Sequence, residues 1–323
     1  MKILFITSTR IGDAVLSTAL LDHLISKYPS ALITVACGPL PSPLFASIPR
    51  VERVIKINKK PFSSHWISLW FETVTTSWDL VVDLRSSALA LVLKSKSRKI
   101  LRSKKNSHNF HRVVELGNLF ELNPPPSPKL WISDSMDEKV EKLLPAGPPI
   151  IGLGVTANWM PKVWPSENFV SLISRLTKNH QIFSGKRVAV FGTKEERNIA
   201  YPVLSSLAGV ECVDLIGKTS IYTVAACLKK CSIFIGNDSG LMHMAAALDV
   251  PTVGLFGPSR AKRYGPWGQH CISVASSESY ESLVGKNEFD HRNSENLMKG
   301  LSVDAVENAT LQLYKKINGG SYG

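Results

Sequence analysis

The chain alternates short β-rich runs with amphipathic helical stretches twice over, and a proline-rich break separates the two rounds. In the first round, residues 2–7, 32–36, 53–57, 80–84 and 99–101 are the strand candidates. Between the first two, Ala14, Val15, Thr18, Ala19, Leu21, Leu24 and Ile25 recur at helical spacing until Pro29 stops the pattern. Strand, crossover helix, strand is the grammar of a mostly parallel sheet covered by helices on both faces. The break begins at Asn123-Pro124-Pro125-Pro126-Ser127-Pro128, which can be neither helix nor central strand, and ends at Pro145-Ala146-Gly147-Pro148-Pro149 after a short charged helix. The grammar then restarts, with strands at 150–155, 187–191, 212–215, 233–235 and 252–256 and helices near 166–178, 194–207, 221–229 and 241–248. A length of 323 residues suits two domains of ordinary size. The expected fold class is α/β: two doubly wound, Rossmann-like domains, 1–148 and 149–323, facing a cleft, with a tail helix at 303–317 packing back on the first domain.

An apolar fraction of 44% with 20% charged residues is that of a globular chain. The N-terminal apolar run is short and broken by Arg10 and Asp13, so it reads as a buried strand and not a signal peptide. No stretch approaches the ~20 apolar residues that cross a bilayer. Five cysteines with no Cys-x-x-Cys pair indicate neither a disulfide framework nor a zinc ribbon, and fit a reducing cytosol. Cys227 and Cys231 share a probable helix face, but no His or acidic cluster of matching spacing accompanies them, so core packing is the better account. The net charge of +12 calls for an anionic partner: nucleic acid, anionic lipid or a phosphorylated substrate. Much of it lies between residues 94 and 112, in Lys94, Lys96, Arg98, Lys99, Arg102, Lys104, Lys105 and Arg112 with His108 and His111, where a solvated face is the plain alternative.

In open α/β sheets ligands bind beyond the carboxyl ends of the strands, so the loops that follow strands carry the chemistry. The first reads Ser8-Thr9-Arg10-Ile11-Gly12-Asp13: Gly12 permits close backbone approach and Asp13 sits near a helix N-terminus, either as a simple cap or facing the cleft. After the second domain's first strand, Thr156-Ala157-Asn158-Trp159-Met160-Pro161-Lys162-Val163-Trp164-Pro165 is stiffened by Trp and Pro and presents Lys162. That lysine is either merely solvated or placed to neutralise a departing diphosphate. The most specific segment is Gly236-Asn237-Asp238-Ser239-Gly240-Leu241-Met242-His243, followed by Phe256-Gly257-Pro258-Ser259. Ser239 and Gly240 lie where backbone N–H groups at a helix N-terminus point at an anion, with His243 in the first turn. Taken singly, Asp238 or Ser239 could be only a cap and His243 only a core histidine.

Asn237-Asp238-Ser239-Gly240-x-x-His243 with Phe256-Gly257-Pro258-Ser259 resembles the signature of glycosyltransferase family 9, the ADP-heptose:lipopolysaccharide heptosyltransferases. Arg10-x-Gly12-Asp13, Lys162-x-Trp164-Pro165 and Gly217-Lys218-Thr219-Ser220 are similar to further loops of that family, in the same order along the chain. The resemblance implies an inverting transferase of the GT-B type. Asp13 would be the general base and Lys162 the group that steadies the donor diphosphate. Thr156, Asp238, Ser239, Gly240 and His243 would bind the donor, and Glu196 or its neighbour Glu195 its ribose. Arg10, Gly12 and Arg85 would reach the acceptor, a phosphorylated lipid A core or other envelope glycan, and the 94–112 segment would suit those phosphates and the anionic inner membrane surface. No metal is required, since a diphosphate is already a good leaving group and no Asp-x-Asp motif is present. A cytoplasmic monomer in peripheral contact with the inner membrane is expected. The sequence departs from the family at Thr9-Arg10-Ile11 and in the long polar stretch 276–297, which leaves acceptor and donor sugar open.

Other classes fit less well. A dinucleotide-dependent oxidoreductase would carry Gly-x-Gly-x-x-Gly after a strand, and none does so here. Nucleic-acid binding would account for the charge, yet no helix-turn-helix, finger spacing or aromatic-interleaved basic sheet is present. A non-catalytic sugar-binding homologue would keep the same loops.

Overall fold

A computed structural model describes residues 1–102, 109–207, 209–285 and 296–318. The chain forms two compact units, Met1–Ser133 and Asp134–Gly323. The division thus precedes the one expected near residue 148. Its cause is the short charged helix before the second break, Asp137–Leu143, which packs on a helix of the second unit and places Asp137 3.4 Å from Lys230.

In the first unit the order is β1 (Lys2–Ile6), α1 (Ile11–Lys27), β2 (Leu32–Cys37), α2 (Ser42–Phe45), β3 (Val51–Lys56), α3 (His65–Thr73), β4 (Trp78–Asp83), α4 (Leu89–Val92), β5 (Ser95–Ile100) and α5 (Arg112–Asn118). Every pairing is parallel, in the order β3-β2-β1-β4-β5. The chain therefore steps to one side of β1 through α1 and α2 and to the other through α3 and α4, and right-handed crossovers put those helix pairs on opposite faces. Leu4 and Ile6 of β1 pack with Leu69, Leu89 and Ala90 on the α3–α4 face. α1 is buried from Ala14 to Leu21 because α5 packs on it as well. β5 is an edge strand, and its Lys96, Arg98 and Lys99 suit an edge that must not pair further.

The second unit runs α6 (Asp137–Leu143), β6 (Ile150–Gly154), α7 (Ser166–Asn179), β7 (Arg187–Val190), α8 (Arg197–Ser206), β8 (Cys212–Asp214), α9 (Ile221–Leu228), β9 (Cys231–Asn237), α10 (Gly240–Ala247), β10 (Thr252–Phe256), α11 (Ala261–Tyr264), β11 (Cys271–Ala275), α12 (Tyr280–Val284) and α13 (Val303–Asn318). Its sheet is parallel in the order β11-β10-β9-β6-β7-β8. Close approach of β6 and β9 depends on glycine: a Cβ on Gly236 would sit 2.8 Å from the Gly154 carbonyl oxygen.

Most expected elements recur within a residue or two. β11 is an addition, a short half-exposed edge strand whose Cys-Ile-Ser-Val-Ala run is apolar but has no fully buried residue. The helix expected from 194 starts as a 3-10 turn and becomes α-helical at Arg197. α13, expected to return over the first domain, packs on α7, β10 and β11 of its own unit. There Arg175 bonds Asp304, His180 lies 2.8 Å from Glu307, and Lys186 donates to the Tyr314 hydroxyl at 2.9 Å.

Candidate active site

In the second sheet β6 and β9 lie side by side while the chain leaves them towards opposite edges, which makes their carboxyl ends the switch point where ligands bind in such folds. Thr156, just past β6, is buried. A 3-10 turn over Met160–Lys162, anchored by buried Pro161, then delivers Lys162, whose Nζ donates to Asp238 Oδ2 at 2.5 Å. The side chains are 21% and 7% exposed, so the pair is partly withdrawn from solvent and worth more than a surface ion pair. His243, 5% exposed, stands with Nε2 3.9 Å from Asp238 Oδ1.

The alternatives weighed for these residues separate on geometry. Ser239 is the N-cap residue of α10, yet its hydroxyl makes no cap bond, and the Asp238 carboxylate is turned to Lys162 instead. The first-turn N–H groups of α10 are therefore open to an anion, with the helix dipole behind them. Of the buried side-chain atoms without a hydrogen-bond partner among the described residues, Ser239 Oγ, Asn237 Nδ2, Ser259 Oγ and Thr219 Oγ1 lie on or beside loops at this sheet edge, while His23 Nε2 and His270 Nδ1 lie elsewhere. Native proteins seldom leave such atoms unmet, so this edge has room for polar partners, water or a polar ligand.

Asn237 holds the two loops in register. Fully buried at the end of β9, its Oδ1 accepts the Trp164 N–H at 3.1 Å, and Trp164 Nε1 donates to the Leu301 carbonyl at 2.8 Å. From the other side Asn296 Nδ2 donates to the Val163 carbonyl at 2.5 Å, and the Leu297 N–H to the Pro161 carbonyl at 3.2 Å. Thus the end of the polar 276–297 stretch braces the lysine loop; residues 286–295, including the expected Phe289-Asp290-His291-Arg292 feature, lie outside the described residues. Neither asparagine announces this role in sequence, since the contacts join distant segments. Asn237→Leu strands the buried Trp164 N–H while removing the partnerless Nδ2, so the expected loss is about 1–2 kcal/mol, the low end for an unmet donor. Denaturant unfolding checks it, and an unchanged midpoint would contradict it.

Next along the same edge, Glu196 Oε2 accepts the Thr193 N–H at 2.8 Å in a capping box. A Cβ on Gly192 would stand 3.3 Å from Glu196 Oε2 and 3.4 Å from Thr156 Oγ1, so Gly192 joins these two residues. Glu195 is exposed, its carboxyl held below the usual range by backbone and Thr193 hydrogen bonds. Of the adjacent pair it is Glu196 that lies beside Thr156. Gly217, with φ +65°, closes against Lys194 and donates its N–H to the Gly192 carbonyl at 2.9 Å, which brings the Gly217–Ser220 turn to this loop.

The first sheet has its own switch point, at β1 and β4. The N-cap of α1 is Arg10, which puts Asp13 third in the helix, where an acid can bond the N-cap N–H. That N–H goes instead to Ser8 Oγ at 3.1 Å. Asp13, half-buried, has no hydrogen bond or ion pair with any described residue, so it is not a cap. Gly12 precedes it in the first turn and Arg10 is exposed. After β4, buried Asp83 shapes the turn by accepting the Arg85 and Ser87 N–H groups, each at 2.7 Å. Arg85, half-buried, lies with its guanidinium 6.0 Å from the Trp66 ring centre.

A model of the glycosyltransferase family 9 (heptosyltransferase) matches residues 52–291. The chain belongs to that family. The lipopolysaccharide heptosyltransferase 2 of Salmonella typhimurium is 27% identical over 297 residues, 80% of this chain and 83% of the relative. Among solved structures, a family 9 glycosyl transferase of Veillonella parvula superposes with a TM-score of 0.80 at 20% identity, covering 98% of this chain and 97% of that one. E. coli ADP-heptose lipopolysaccharide heptosyltransferase II gives 0.75 at 22% identity, covering 98% and 100%. The fold of this family 9 glycosyltransferase is GT-B.

Other features of the family 9 chain have plainer roles. Within the basic 94–112 segment, residues 103–108 lie outside the described residues. Of the rest, Arg98 donates to the Ala90 and Leu93 carbonyls, Lys96 pairs with Asp79 at 2.7 Å, Arg112 pairs with Glu115, and His111 caps α5. Much of that charge is engaged locally. All five cysteines are free, and burial pushes Cys37 and Cys271 up to about 12 and Cys212 and Cys227 up to about 11, so none is a ready nucleophile. Cys231 donates its thiol to the Cys227 carbonyl at 3.7 Å. Among the described residues no three His, Cys, Asp or Glu side chains gather as metal ligands, and no helix is long and apolar enough to cross a membrane.

Proposed function

We propose that this chain transfers heptose from ADP-heptose to a lipopolysaccharide core acceptor, with inversion, at the cytoplasmic face of an anionic membrane. The observation that carries the donor half is the Lys162–Asp238 contact beside the open N-terminus of α10: a fixed ammonium and a set of free backbone N–H groups converge where a diphosphate would lie. Family membership and the ADP-heptose named for the E. coli neighbour support the choice of sugar and base.

In this reading an acceptor hydroxyl oxygen attacks the anomeric carbon as the bond to the β-phosphate oxygen breaks. Asp13 takes the hydroxyl proton and the pair of electrons leaves on ADP, whose growing charge Lys162 and the α10 N–H groups stabilise. One base suffices, and no divalent metal is needed to carry the leaving group. Thr156, Ser239, Gly240 and His243 hold the donor, Glu196 its ribose, and Arg10, Gly12 and Arg85 the phosphorylated acceptor. The protein acts as a monomer without nucleic acid.

The test compares ADP, UDP, GDP and NAD by calorimetry and thermal shift. ADP at about 100 times its Kd should add about 2.7 kcal/mol of stability, a shift of several degrees, with the other nucleotides well below it. Preference for UDP or GDP would keep the transferase and reject heptose as the sugar. Binding of NAD alone would reject the donor site, and ADP binding without turnover would identify a non-catalytic homologue.

A further inference from the structure

Twelve large apolar side chains stand exposed among the described residues, and five of them fall between residues 62 and 92: Phe62, Ile67, Phe71, Leu91 and Val92. Single exposed apolar residues need no explanation, but these share one layer, the α3–α4 face of the first sheet. α3 is apolar on two sides. Leu69 and Thr73 are buried towards the sheet, while Ile67 and Phe71, one turn apart, are 60% and 67% exposed. Trp66 and Trp70 are half-buried between the two sides. Phe62 is fully exposed in the turn before α3, where Phe62 and Ser63 both hold left-handed backbone, φ 51° and 56°.

Cations frame this surface. Lys59 and Lys60 precede α3, and Lys60 Nζ donates to Ser68 Oγ at 3.2 Å, which sets an ammonium beside the Ile67–Phe71 stripe. Exposed Lys94 follows Leu91 and Val92. The nearby acids are already engaged, Glu72 by Arg53 at 2.6 Å and Asp79 by Lys96 at 2.7 Å, so the uncompensated charge is positive. An apolar centre with tryptophans at its margin and lysines around it matches the layers of an anionic bilayer: acyl boundary, interface and phosphate headgroups. A second copy of the chain fits worse, because a two-fold contact would oppose these lysines to their own equivalents.

We propose that the α3–α4 face of the first unit, with Phe62, Ile67 and Phe71 at its centre, docks this chain on an anionic phospholipid bilayer. It deepens the reading that the acceptor is met at a lipid surface and rests on that reading only for its setting, because vesicle binding is measured without turnover. The full chain is sedimented with phosphatidylcholine vesicles with and without phosphatidylglycerol, beside Phe62→Ser/Ile67→Ser/Phe71→Ser and Lys59→Glu/Lys60→Glu. Wild type should partition to the anionic vesicles about tenfold or more over the neutral ones, and less in high salt; both variants should lose about tenfold or more. The substituted residues are exposed, so ADP calorimetry on the same preparations should match wild type and show them folded. No preference for anionic vesicles, an unchanged partition of the triple variant, or a wild-type dimer that the triple variant dissolves without vesicle binding would each overturn the proposal. Absence of ADP binding by wild type would instead strike the donor assignment and leave the vesicle result standing.

Discussion

Asp13→Asn should lower turnover by about 10²–10⁴-fold, the range for loss of a positioned base, while ADP affinity stays within about twofold. The substitution keeps the size of the side chain and removes only its ability to take a proton. It is a clean test because Asp13 does nothing else visible in the fold. The N-cap N–H that it could accept is held by Ser8, and no described residue bonds its carboxylate. Its remaining structural contribution is a favourable charge in the first turn of a helix, about 0.3–1 kcal/mol, too little to unfold the protein. Single-turnover kinetics on the Asn and Ala variants, with ADP titrations alongside, separate the outcomes. Turnover within about tenfold of wild type would remove Asp13 as the base, and a parallel fall in ADP affinity would mark a structural fault instead.

How far the sequence disclosed these sites follows from which contacts are local. Both sheets were legible because buried parallel strands are continuous apolar runs, as in Ile3–Ile6 of β1, and because the helices between them carry the 3.6-residue period. β11 was hidden because its apolar run is short, is broken by Ser273 and leads into a long polar stretch, so it stands out less than the runs of the inner strands. The loop tips could be placed as candidates, since strand-to-helix order alone puts Asp13, Thr156, Lys162 and Asp238 at carboxyl edges. Sequence could not tell a cap from a ligand, because that depends on which partner a side chain finds in space. Asp238 found Lys162 across 76 positions, Glu196 found the Thr193 N–H three residues away, and Asp13 found nothing among the described residues. Asn237 and Asn296 stayed invisible for the same reason: each is a polar residue in a loop or strand end until the Trp164 N–H and the Val163 carbonyl are brought to it. The basic 94–112 segment shows the converse, where a strong compositional signal dissolves partly into edge-strand protection, a helix cap and local ion pairs.

Lys162→Ala is expected to weaken ADP by about 10–100-fold, the worth of a charge-assisted hydrogen bond, and to lower turnover by about 10²–10³-fold, as when a preorganised group facing developing charge is lost. Unlike Asp13, Lys162 should therefore move binding and chemistry together, because a diphosphate is charged before the reaction and more so as it leaves. The same change has a structural cost. It leaves the Asp238 carboxylate, 7% exposed, without its cation and, among the described residues, with His243 alone as an ion-pair neighbour at 3.9 Å, whereas Lys162 itself is 21% exposed and partly solvated. Breaking a buried pair costs about 3–5 kcal/mol, and the solvent reaching Lys162 brings the expected loss below that. Adding Asp238→Asn removes the stranded charge, so the double variant should recover stability over Lys162→Ala alone while ADP affinity stays low. Calorimetry and denaturant unfolding on wild type and the three variants complete the cycle. Unchanged ADP affinity in Lys162→Ala would take the lysine out of the donor site, and recovery of ADP binding in the double variant would mean that repulsion by Asp238, not loss of the ammonium, caused the defect.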